Sequence, residues 1–437
     1  MRSSAKAEKQ LVETKRVAVL SSDRELNRII EESCSDFQYY FEPVFIDTVE
    51  ESIEYLNYDL PELSVVNGSD PQLDVNRVLG EMQRDPWLHQ GSLVVVYDSD
   101  VVCIRTDMLR QLNLLSVMTR SRLAAYFPRL LRILKSNEHI LHQRNMHALL
   151  DSNLSGTFVL ENDPFDLTTY SNLLSNFLFN AKLIDYEQKE RYHVALMELL
   201  MNAVEHGNCR ISYEEKSRHL DEGGDPLALI RERNTDPEVG KKKVYLSYRI
   251  RPTSSTFTIR DEGEGFDWRG YQTLHGADGL GEMHGRGILM ASHYLENLAF
   301  NEKGNEVSFE LEHTGDEGFQ VPEYFNDGEE LSFAAGDIVF SQGDSSSHLY
   351  YIASGSFDIL VDGEVISRLT PADVFLGEMS FLLNNRRSAT VRAASAATLV
   401  RISKKRFVHA IKHRPEYGLF LARLLSRRLL RHHYVTG

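Results

Sequence analysis

Four short runs of β-branched and aliphatic residues recur in the first 120 residues, separated by stretches with helical periodicity. The runs are RVAVL (16–20), LSVV (63–66), LVVVY (93–97) and LLSVM (114–118). Apolar strands that alternate with helices are typical of a parallel sheet, because parallel strands need long, usually helical, crossovers. The sequence therefore predicts a parallel α/β domain over residues 16–121, after a polar leader at 1–15.

The next stretch, residues 122–152, is predicted to be one linker helix. Its apolar residues alternate at spacings of four and three: Leu123, Phe127, Leu130, Leu134 and Leu141. Asn137 occupies one position of the same series. This spacing is typical of a coiled-coil seam, so we expect the helix to join two copies of the chain in a homodimer.

Two further patterns divide the remainder of the chain, which is too long at 437 residues for a single core. Residues 153–315 show a strand, long helices and hairpin-like pieces, with a charged insert at 210–243 that we expect to be a surface excursion with a short helix. Residues 322–437 show alternating strands and end in two helices around Pro415, which predicts a β-roll. The predicted fold class is a parallel α/β domain, an α/β sandwich and a β-roll in one chain.

Charge and hydropathy exclude several classes of protein. The formal net charge of -16 repels phosphate backbones, so we do not expect direct DNA binding. No run approaches the roughly 18 apolar residues of a membrane span, and the first residues lack the apolar core of a signal peptide. We therefore expect a cytoplasmic protein without membrane contact. Cys34, Cys103 and Cys209 are scattered without CxxC spacing, which predicts reduced thiols.

The stretch GEMSFLLNNRRSATV, residues 377–391, places a carboxylate nine residues before an arginine that is followed by small side chains. A carboxylate can accept from a ribose hydroxyl, and an arginine can clamp a singly charged phosphate. Small residues after the arginine let backbone amides approach the same anion. The predicted binding residues are Gly377, Glu378, Arg387, Ser388, Ala389 and Thr390.

With Val391, these residues resemble the phosphate-binding cassette of the cyclic-nucleotide-binding domain family, over roughly residues 322–437. Catabolite activators, regulatory subunits of protein kinase A and gated channels share that family. The resemblance implies a cyclic nucleotide as effector, with cyclic AMP favoured over cyclic GMP, and a base-capping residue on the final helix that the sequence does not place. The alternative is a roll without ligand, in which Glu378 and Arg387 pair with each other.

The stretch HVALMELLMNAVEHGN carries polar residues at every fourth position: Glu198, Asn202 and His206. That spacing places all three along one face of a single helix. An asparagine oxygen can ligate Mg²⁺, and a glutamate one turn earlier can deprotonate a nucleophile near a γ-phosphate. We therefore expect the three residues to form part of an ATP site.

Two glycine-containing stretches follow in the same domain. In IRDEGEGFDW, Asp261 can accept from an adenine amino group, while Gly263 and Gly265 let the chain pass close to a ligand. In GLGEMHGRGILM, the amides of a glycine-rich lid before a helix can bind phosphates. The predicted lid residues are Gly285, Arg286 and Gly287.

Together these stretches resemble the Bergerat-fold ATPase superfamily of gyrase, histidine kinases and anti-sigma-factor serine kinases, and they are most similar to the last. By that resemblance Asn202 would hold Mg²⁺, Asp261 would read adenine and Glu198 would be the catalytic base. The lid would wrap the phosphates of ATP. The implied partner is a small antagonist, or anti-anti-sigma-like, protein phosphorylated on serine.

Three alternatives remain for this domain. Glu198 and Asn202 could cap neighbouring elements while Gly207 ends a helix. The domain could bind ATP and hold a partner without transferring phosphate. It could also be an atypical histidine kinase with its phosphoacceptor among the three histidines that precede the domain: His139, His142 and His147.

The N-terminal domain faintly resembles a response-regulator receiver that has lost its chemistry. The acidic pair that follows the first strand in receivers is replaced by Ser21, Ser22 and Asp23. Asn67 stands where the phosphoacceptor aspartate belongs, and Met118 or Thr119 stands near the place of the lysine. An amide cannot form an acyl phosphate, so we expect a docking or dimerisation platform. The alternative acceptors are Asp70 and Asp98.

Overall fold

The computed structural model describes most of the chain, in segments separated by short gaps. They are residues 14–37, 40–98, 106–109, 112–137, 154–181, 183–225, 227–251, 253–266, 286–313, 323–325, 328–383 and 385–435. The chain divides into two compact units, residues 1–141 and 142–437. Within the described segments, no helix has both the length and the hydropathy needed to cross a bilayer.

The first unit is the predicted parallel α/β fold. Its strands are β1 Lys15–Leu20, β2 Phe41–Ile46, β3 Leu63–Asn67, β4 Ser92–Tyr97 and β5 Leu114–Thr119. Its helices are α1 Arg24–Ser35, α2 Val49–Asp59, α3 Val75–Arg84, α4 Thr106–Leu109 and α5 Arg120–Ser136. All strand pairs are parallel, in the order β2-β1-β3-β4-β5. This is one of the two common doubly wound orders, in which ligands bind at the carboxyl ends of the strands.

Strand β2 is the element that the apolar runs did not predict. Its sequence, FEPVFI, contains Glu42 and Pro43, and only Phe41 and Ile46 are fully buried. Proline lacks an N–H group, so it occurs in sheets where no hydrogen bond to a neighbouring strand is required at that position, such as the outer side of an edge strand. Because β2 pairs with β1 alone, its other side is the edge of the sheet, which explains its mixed composition.

Helix α5 corrects the interpretation of residues 122–152 as a dimer seam. The seam residues in the described part of the helix are almost fully buried within one chain: Leu123, Phe127, Leu130 and Leu134. The helix packs on α1, β4 and β5. Asn137 does not continue the series, since the helix ends at Ser136 and the Asn137 amide caps it by donating to Ile133 O at 2.7 Å. Leu141 lies outside the described residues.

The second unit begins with an antiparallel sheet covered by helices. The strands are β6 Leu154–Leu160, β7 Val244–Ile250, β8 Ser254–Asp261, β9 Glu296–Phe300 and β10 Glu306–Glu312, in the order β6-β7-β8-β10-β9. Helices α6 Pro164–Asn180 and α7 Tyr186–Asn202 pack together, and α7 continues into a π-turn, Ala203–Asn208. Alternate residues of β7 and β8 are buried, as expected for a sheet with one covered face.

The insert at 210–243 is mostly exposed or half-buried and contains helical structure, with three short helices where one was expected. These helices are α8 Tyr213–Asp221, α9 Ala228–Arg233 and α10 Pro237–Gly240. Leu229 and Ile230 are buried, 8% and 1% exposed.

Helix α11, Arg286–Tyr294, follows the sheet strand β8 in the chain and packs against α7.

The last part of the chain is the predicted roll. Its strands are β11 Glu329–Phe333, β12 Ile338–Phe340, β13 His348–Ser354, β14 Phe357–Val361, β15 Glu364–Leu369, β16 Phe375–Leu376, β17 Thr390–Ala393 and β18 Ala397–Ser403. They form two antiparallel sheets, β11-β18-β13-β16 and β12-β17-β14-β15. A short helix, α12 Glu378–Leu383, interrupts the strands, and α13 Lys404–His413 and α14 Glu416–Val435 lie on either side of Pro415 as predicted.

Candidate nucleotide-binding sites

Arg387 lies inside the roll with no carboxylate to balance its charge. The residue is 4% exposed. Its Nη1 donates to Gly377 O at 2.8 Å and to Ser380 Oγ at 3.1 Å, and Nη2 donates to His348 O at 2.7 Å. Among the described residues, Nε has no hydrogen-bond acceptor and no carboxylate lies within ion-pair distance of the guanidinium. A buried cation that is neither paired nor fully hydrogen-bonded is costly, so an anion would complete this site.

The surroundings of Arg387 hold the guanidinium in one place. Its Cζ lies 4.1 Å from the centroid of the Phe340 ring. Gly377 has a φ of +78°, and a Cβ at that position would lie 2.3 Å from Arg387 Nη1. Only glycine therefore permits both this backbone conformation and this approach. Burial lowers the pKa of the Arg387 guanidinium, because the protein interior solvates the cation less well than water.

Glu378 does not pair with Arg387, contrary to the ligand-free alternative. The carboxylate is 6% exposed, and its Oε1 accepts from Arg428 Nη1 at 2.7 Å. Arg428 also donates from Nη2 to Asp373 O and, at 2.5 Å, to Phe375 O. Helix α14 is thus bonded directly to the start of the cassette. The sequence did not single out Arg428, because it is one of several arginines in a basic helix.

The small residues after Arg387 differ in their environments. Ser388 is exposed, and Ala389 is 9% exposed. Thr390 Oγ1 accepts from the backbone amide of Gln342 at 3.0 Å, so this hydroxyl supports the turn before β13.

In the ATPase-like part, Glu198 and Asn202 lie one turn apart at the end of α7, and both are half-buried. His206 follows in the π-turn, Ala203–Asn208, that continues α7 beyond Asn202. His206 is exposed, and its Nδ1 lies 2.7 Å from Ile211 O.

Asp261 is a buried carboxylate at the end of β8, 7% exposed. Its Oδ1 accepts from the amide of Gly263 at 2.7 Å, and burial raises the pKa of the carboxyl to about 6. Gly207 of the π-turn lies against it, since a Cβ on Gly207 would be 2.4 Å from Asp261 Cγ. Among the described residues, no hydrogen bond is made to the second oxygen, Oδ2, which could accept from a donor such as an amino group.

The glycines around Asp261 fall partly within the described chain. Gly263 O accepts from Lys303 Nζ at 2.8 Å, and Gly265 follows in the same turn with a φ of +80°. Arg286 and Gly287 open α11. Gly285, the first predicted lid residue, lies outside the described residues.

The carboxyl edge of the N-terminal sheet carries a cation, Arg120. Arg120, directly after Thr119, binds Asp23, lies 2.9 Å from Glu25 Oε2 and is 4.0 Å from Asp98 Oδ2. Arg120 was not predicted at this edge, because its place in the sequence is at the start of the following helix. Its guanidinium offsets part of the negative charge of Asp23 and Glu25.

Asp70 and Asn67 are both committed to internal hydrogen bonds. The two Asp70 oxygens accept from the amide and hydroxyl of Ser22 at 2.6 and 2.8 Å, and the residue is 4% exposed. The Asn67 amide donates to Ser21 Oγ at 3.2 Å. A carboxylate that is already bonded and buried is a poor phosphoacceptor, so this geometry argues against Asp70 as a replacement.

Two family models match this chain, one on each of the nucleotide sites described above. Residues 160–311 match the histidine kinase-like ATPase domain, and residues 330–414 match the cyclic nucleotide-binding domain. The chain therefore contains one domain of each kind, as the residue patterns predicted. The parallel sheet at residues 15–119 lies outside both matched segments.

Individual relatives match shorter segments. The Pycsar effector protein BcPycTIR of Burkholderia cepacia is 33% identical over 117 residues, 26% of this chain and 38% of that protein. The cGMP-dependent protein kinase of Plasmodium berghei is 35% identical over 80 residues, 18% of this chain and 9% of that protein. Among solved structures, the catabolite activator protein of Thermus thermophilus matches 26% of this chain and 55% of its own, at 27% identity and a TM-score of 0.24. The chain thus spans well under half the length of these two curated relatives.

Proposed function

We propose that this protein is a signalling protein in which a cyclic nucleotide regulates an Mg-ATP-binding domain that phosphorylates a partner on serine. The observation that carries the proposal is a pair of buried charged groups of opposite sign, one in each domain. Arg387 has no ion-paired carboxylate among the described residues and is suited to a cyclic phosphate. Asp261 is a buried carboxylate with a raised pKa and is suited to accept from the adenine amino group. The proposed domains are 16–121, 153–315 and 322–437, and α5 packs on the first of them, so only the residues after it in 122–152 would join the first domain to the second.

The cyclic nucleotide would bind between Arg387 and Glu378. Arg387 would receive the phosphate, and the second oxygen of Glu378 would accept from the ribose 2′-hydroxyl. Because Arg428 already binds Glu378 Oε1, ligand at this carboxylate would act directly on helix α14. We favour cyclic AMP over cyclic GMP, since Ser388 is compatible with both purines and offers no feature that requires guanine.

In the ATP site, Asn202 would contribute an oxygen to Mg²⁺, which neutralises phosphate charge during transfer. Glu198 would take the proton from a serine hydroxyl of the partner. The serine oxygen would form a bond to the γ-phosphorus as the bond to the β-phosphate oxygen breaks, releasing ADP. The proposed partner is a small antagonist or anti-anti-sigma-like protein. An expected homodimer would have to use residues other than the buried face of α5.

A second function, ATP-dependent holding of the partner without transfer, is favoured by one feature of Glu198. Within the described chain, its carboxylate has neither a hydrogen-bond donor nor a paired cation to hold it in position. General bases in efficient enzymes are oriented by such contacts. The histidine-kinase alternative concerns His139, His142 and His147, which lie outside the described residues.

Replacing Asn202 with alanine is expected to lower Mg-ATP affinity about tenfold, because one oxygen ligand of the metal is lost. Calorimetric titration of the full chain, with Mg²⁺ and with EDTA, measures this. The variant and the wild type should differ with Mg²⁺ and agree without it. An Asn202→Ala protein whose ATP affinity depends on Mg²⁺ as in the wild type would contradict the assignment.

Replacing Glu198 with glutamine is expected to reduce phosphotransfer by about 100-fold or more while ATP affinity changes less than about twofold, because only a general base is removed. The measurement is transfer of labelled γ-phosphate to candidate antagonist proteins. Glu190→Gln, an exposed site on the same helix, is the matched control. Wild-type protein that binds a partner only with ATP, yet labels none, would establish the second function instead.

A further inference from the structure

Asn208, the last residue of the π-turn, is fully buried near Asp261, and its side chain makes three hydrogen bonds. Its Oδ1 accepts from the backbone amide of Glu262 at 2.8 Å. Its Nδ2 donates to Asn162 Oδ1 at 2.8 Å and to Lys243 O at 3.0 Å. Because Glu262 follows Asp261 directly, these bonds fix the backbone that carries the Asp261 carboxylate.

The insert reaches the same network through Asn162. Asn162 is 3% exposed, and its Nδ2 donates to Val239 O at 3.0 Å. Asn234 Nδ2 donates to Asn162 O at 2.7 Å. Val239 and Asn234 both belong to the insert at 210–243. An unbroken series of hydrogen bonds therefore joins the insert to the amide that follows Asp261.

A second connection links the insert to the π-turn itself. Lys216 of α8 binds Glu205 of the π-turn at 2.5 Å, and the Glu205 side chain is 4% exposed. The amide of Ile211 donates to Glu205 O at 2.8 Å. Gly207, which touches the Asp261 carboxyl, lies between Glu205 and Asn208. The insert therefore holds the residues on both sides of Gly207 in the chain.

We propose that Asn208 is a positioning residue for adenine recognition by Asp261, and that the insert, acting through Asn162, sets the selectivity of the site for purines with a 6-amino group. The other side of the Asp261 backbone is held independently, because Asn305 Nδ2 donates to Asp261 O at 2.9 Å. Loss of the Asn208 side chain therefore removes the hydrogen bond to the Glu262 amide, next to Asp261. The hydrogen bond from Asn305 still holds Asp261 in its strand. This inference rests on the proposed role of Asp261.

The test compares Mg-ATP with Mg-ITP, whose base carries a 6-oxo group in place of the amino group. Both are titrated into the full chain as wild type, Asn208→Ala, Asn234→Ala and Arg231→Ala. Asn234→Ala removes only the bond from the insert to Asn162 O. Arg231, 53% exposed in its side chain and paired with Asp225 in the same insert, is the matched control.

We expect the ratio of ATP to ITP affinity to fall about tenfold in Asn208→Ala and about threefold in Asn234→Ala, with ITP affinity nearly constant, because a misplaced acceptor loses its donor while phosphate contacts stay. Arg231→Ala should keep the wild-type ratio. If Asn208→Ala does not fold, Asn234→Ala decides alone. If the wild type prefers ATP to ITP and the Asn208→Ala and Asn234→Ala variants keep the same affinity ratio, the inference is wrong while the role of Asp261 stands. A wild type that does not prefer ATP overturns the role of Asp261 and the inference with it.

Discussion

Replacing Arg387 with alanine is expected to lower the affinity for cyclic AMP and cyclic GMP by about 100-fold or more, because a buried, charge-assisted contact to phosphate is lost. Arg387 has three neutral acceptors and no carboxylate among the described residues, so its charge is available to a ligand. Calorimetric titration of each cyclic nucleotide into the full chain measures the effect.

Two variants separate charge from folding at this position. Arg387→Lys keeps the charge but cannot clamp phosphate with two parallel hydrogen bonds, so we expect intermediate affinity. Arg386→Ala removes the neighbouring exposed arginine, which donates to Gly343 O at 2.8 Å, and should bind as the wild type does. Cyclic-nucleotide affinity that survives in Arg387→Ala would show that the cassette binds in another way.

Replacing Asp261 with asparagine is expected to stabilise the ligand-free protein while weakening its binding of ATP. The folded-state pKa of the Asp261 carboxyl is about 6, well above the ordinary value of 3.8. A difference of about two units corresponds to roughly 2–3 kcal/mol of unfolding free energy that the ionised carboxylate costs at neutral pH. An amide at this position removes that cost, but it no longer presents a negative oxygen to the adenine amino group.

The sign of the pH dependence follows from the proton count. Between about pH 4 and pH 6 the folded state holds this proton more tightly than the unfolded state, so the wild type loses stability as the pH rises. The amide that replaces the carboxyl in the variant cannot titrate. The melting temperature of Asp261→Asn should therefore exceed that of the wild type by about 4–8 °C at pH 7.5 and by much less at pH 4.5.

The matched control for this prediction is Glu264→Gln. Glu264 is exposed, pairs with Arg210 at 2.7 Å and lies three residues from Asp261. Thermal unfolding of this variant should follow the wild type at both pH values, since an exposed ion pair contributes little. Equal stability of Asp261→Asn and wild type at pH 7.5 would mean that the carboxylate is not destabilised by burial.

The strands of the parallel sheet could be predicted where they form runs of aliphatic residues. The runs at 16–20, 63–66, 93–97 and 114–118 are such strands, and the last of them is an edge strand like β2. Strand β2 could not be predicted in this way, because Glu42 and Pro43 interrupt its apolar residues. The apolar series on α5 was detected correctly but assigned to another partner, since spacing shows that a face is buried and not what covers it.

The candidate residues of both nucleotide sites lie in short motifs whose chemistry is local, and they could therefore be identified from sequence. Their partners could not. Arg428 reaches Glu378 across 50 positions of the chain, and Asn208 reaches Asn162 across 46. The π-turn that continues α7 through His206 was likewise not predicted from the four-residue spacing.

The sequence by itself determined the classes of fold and the positions of the nucleotide motifs, because hydrophobic period and local residue chemistry act over a few neighbours. Only the tertiary structure decided which groups remain unsatisfied. Burial and long-range hydrogen bonds leave Arg387 without a carboxylate, raise the pKa of Asp261 and connect the insert to it, since desolvation and pairing depend on what the whole fold brings together.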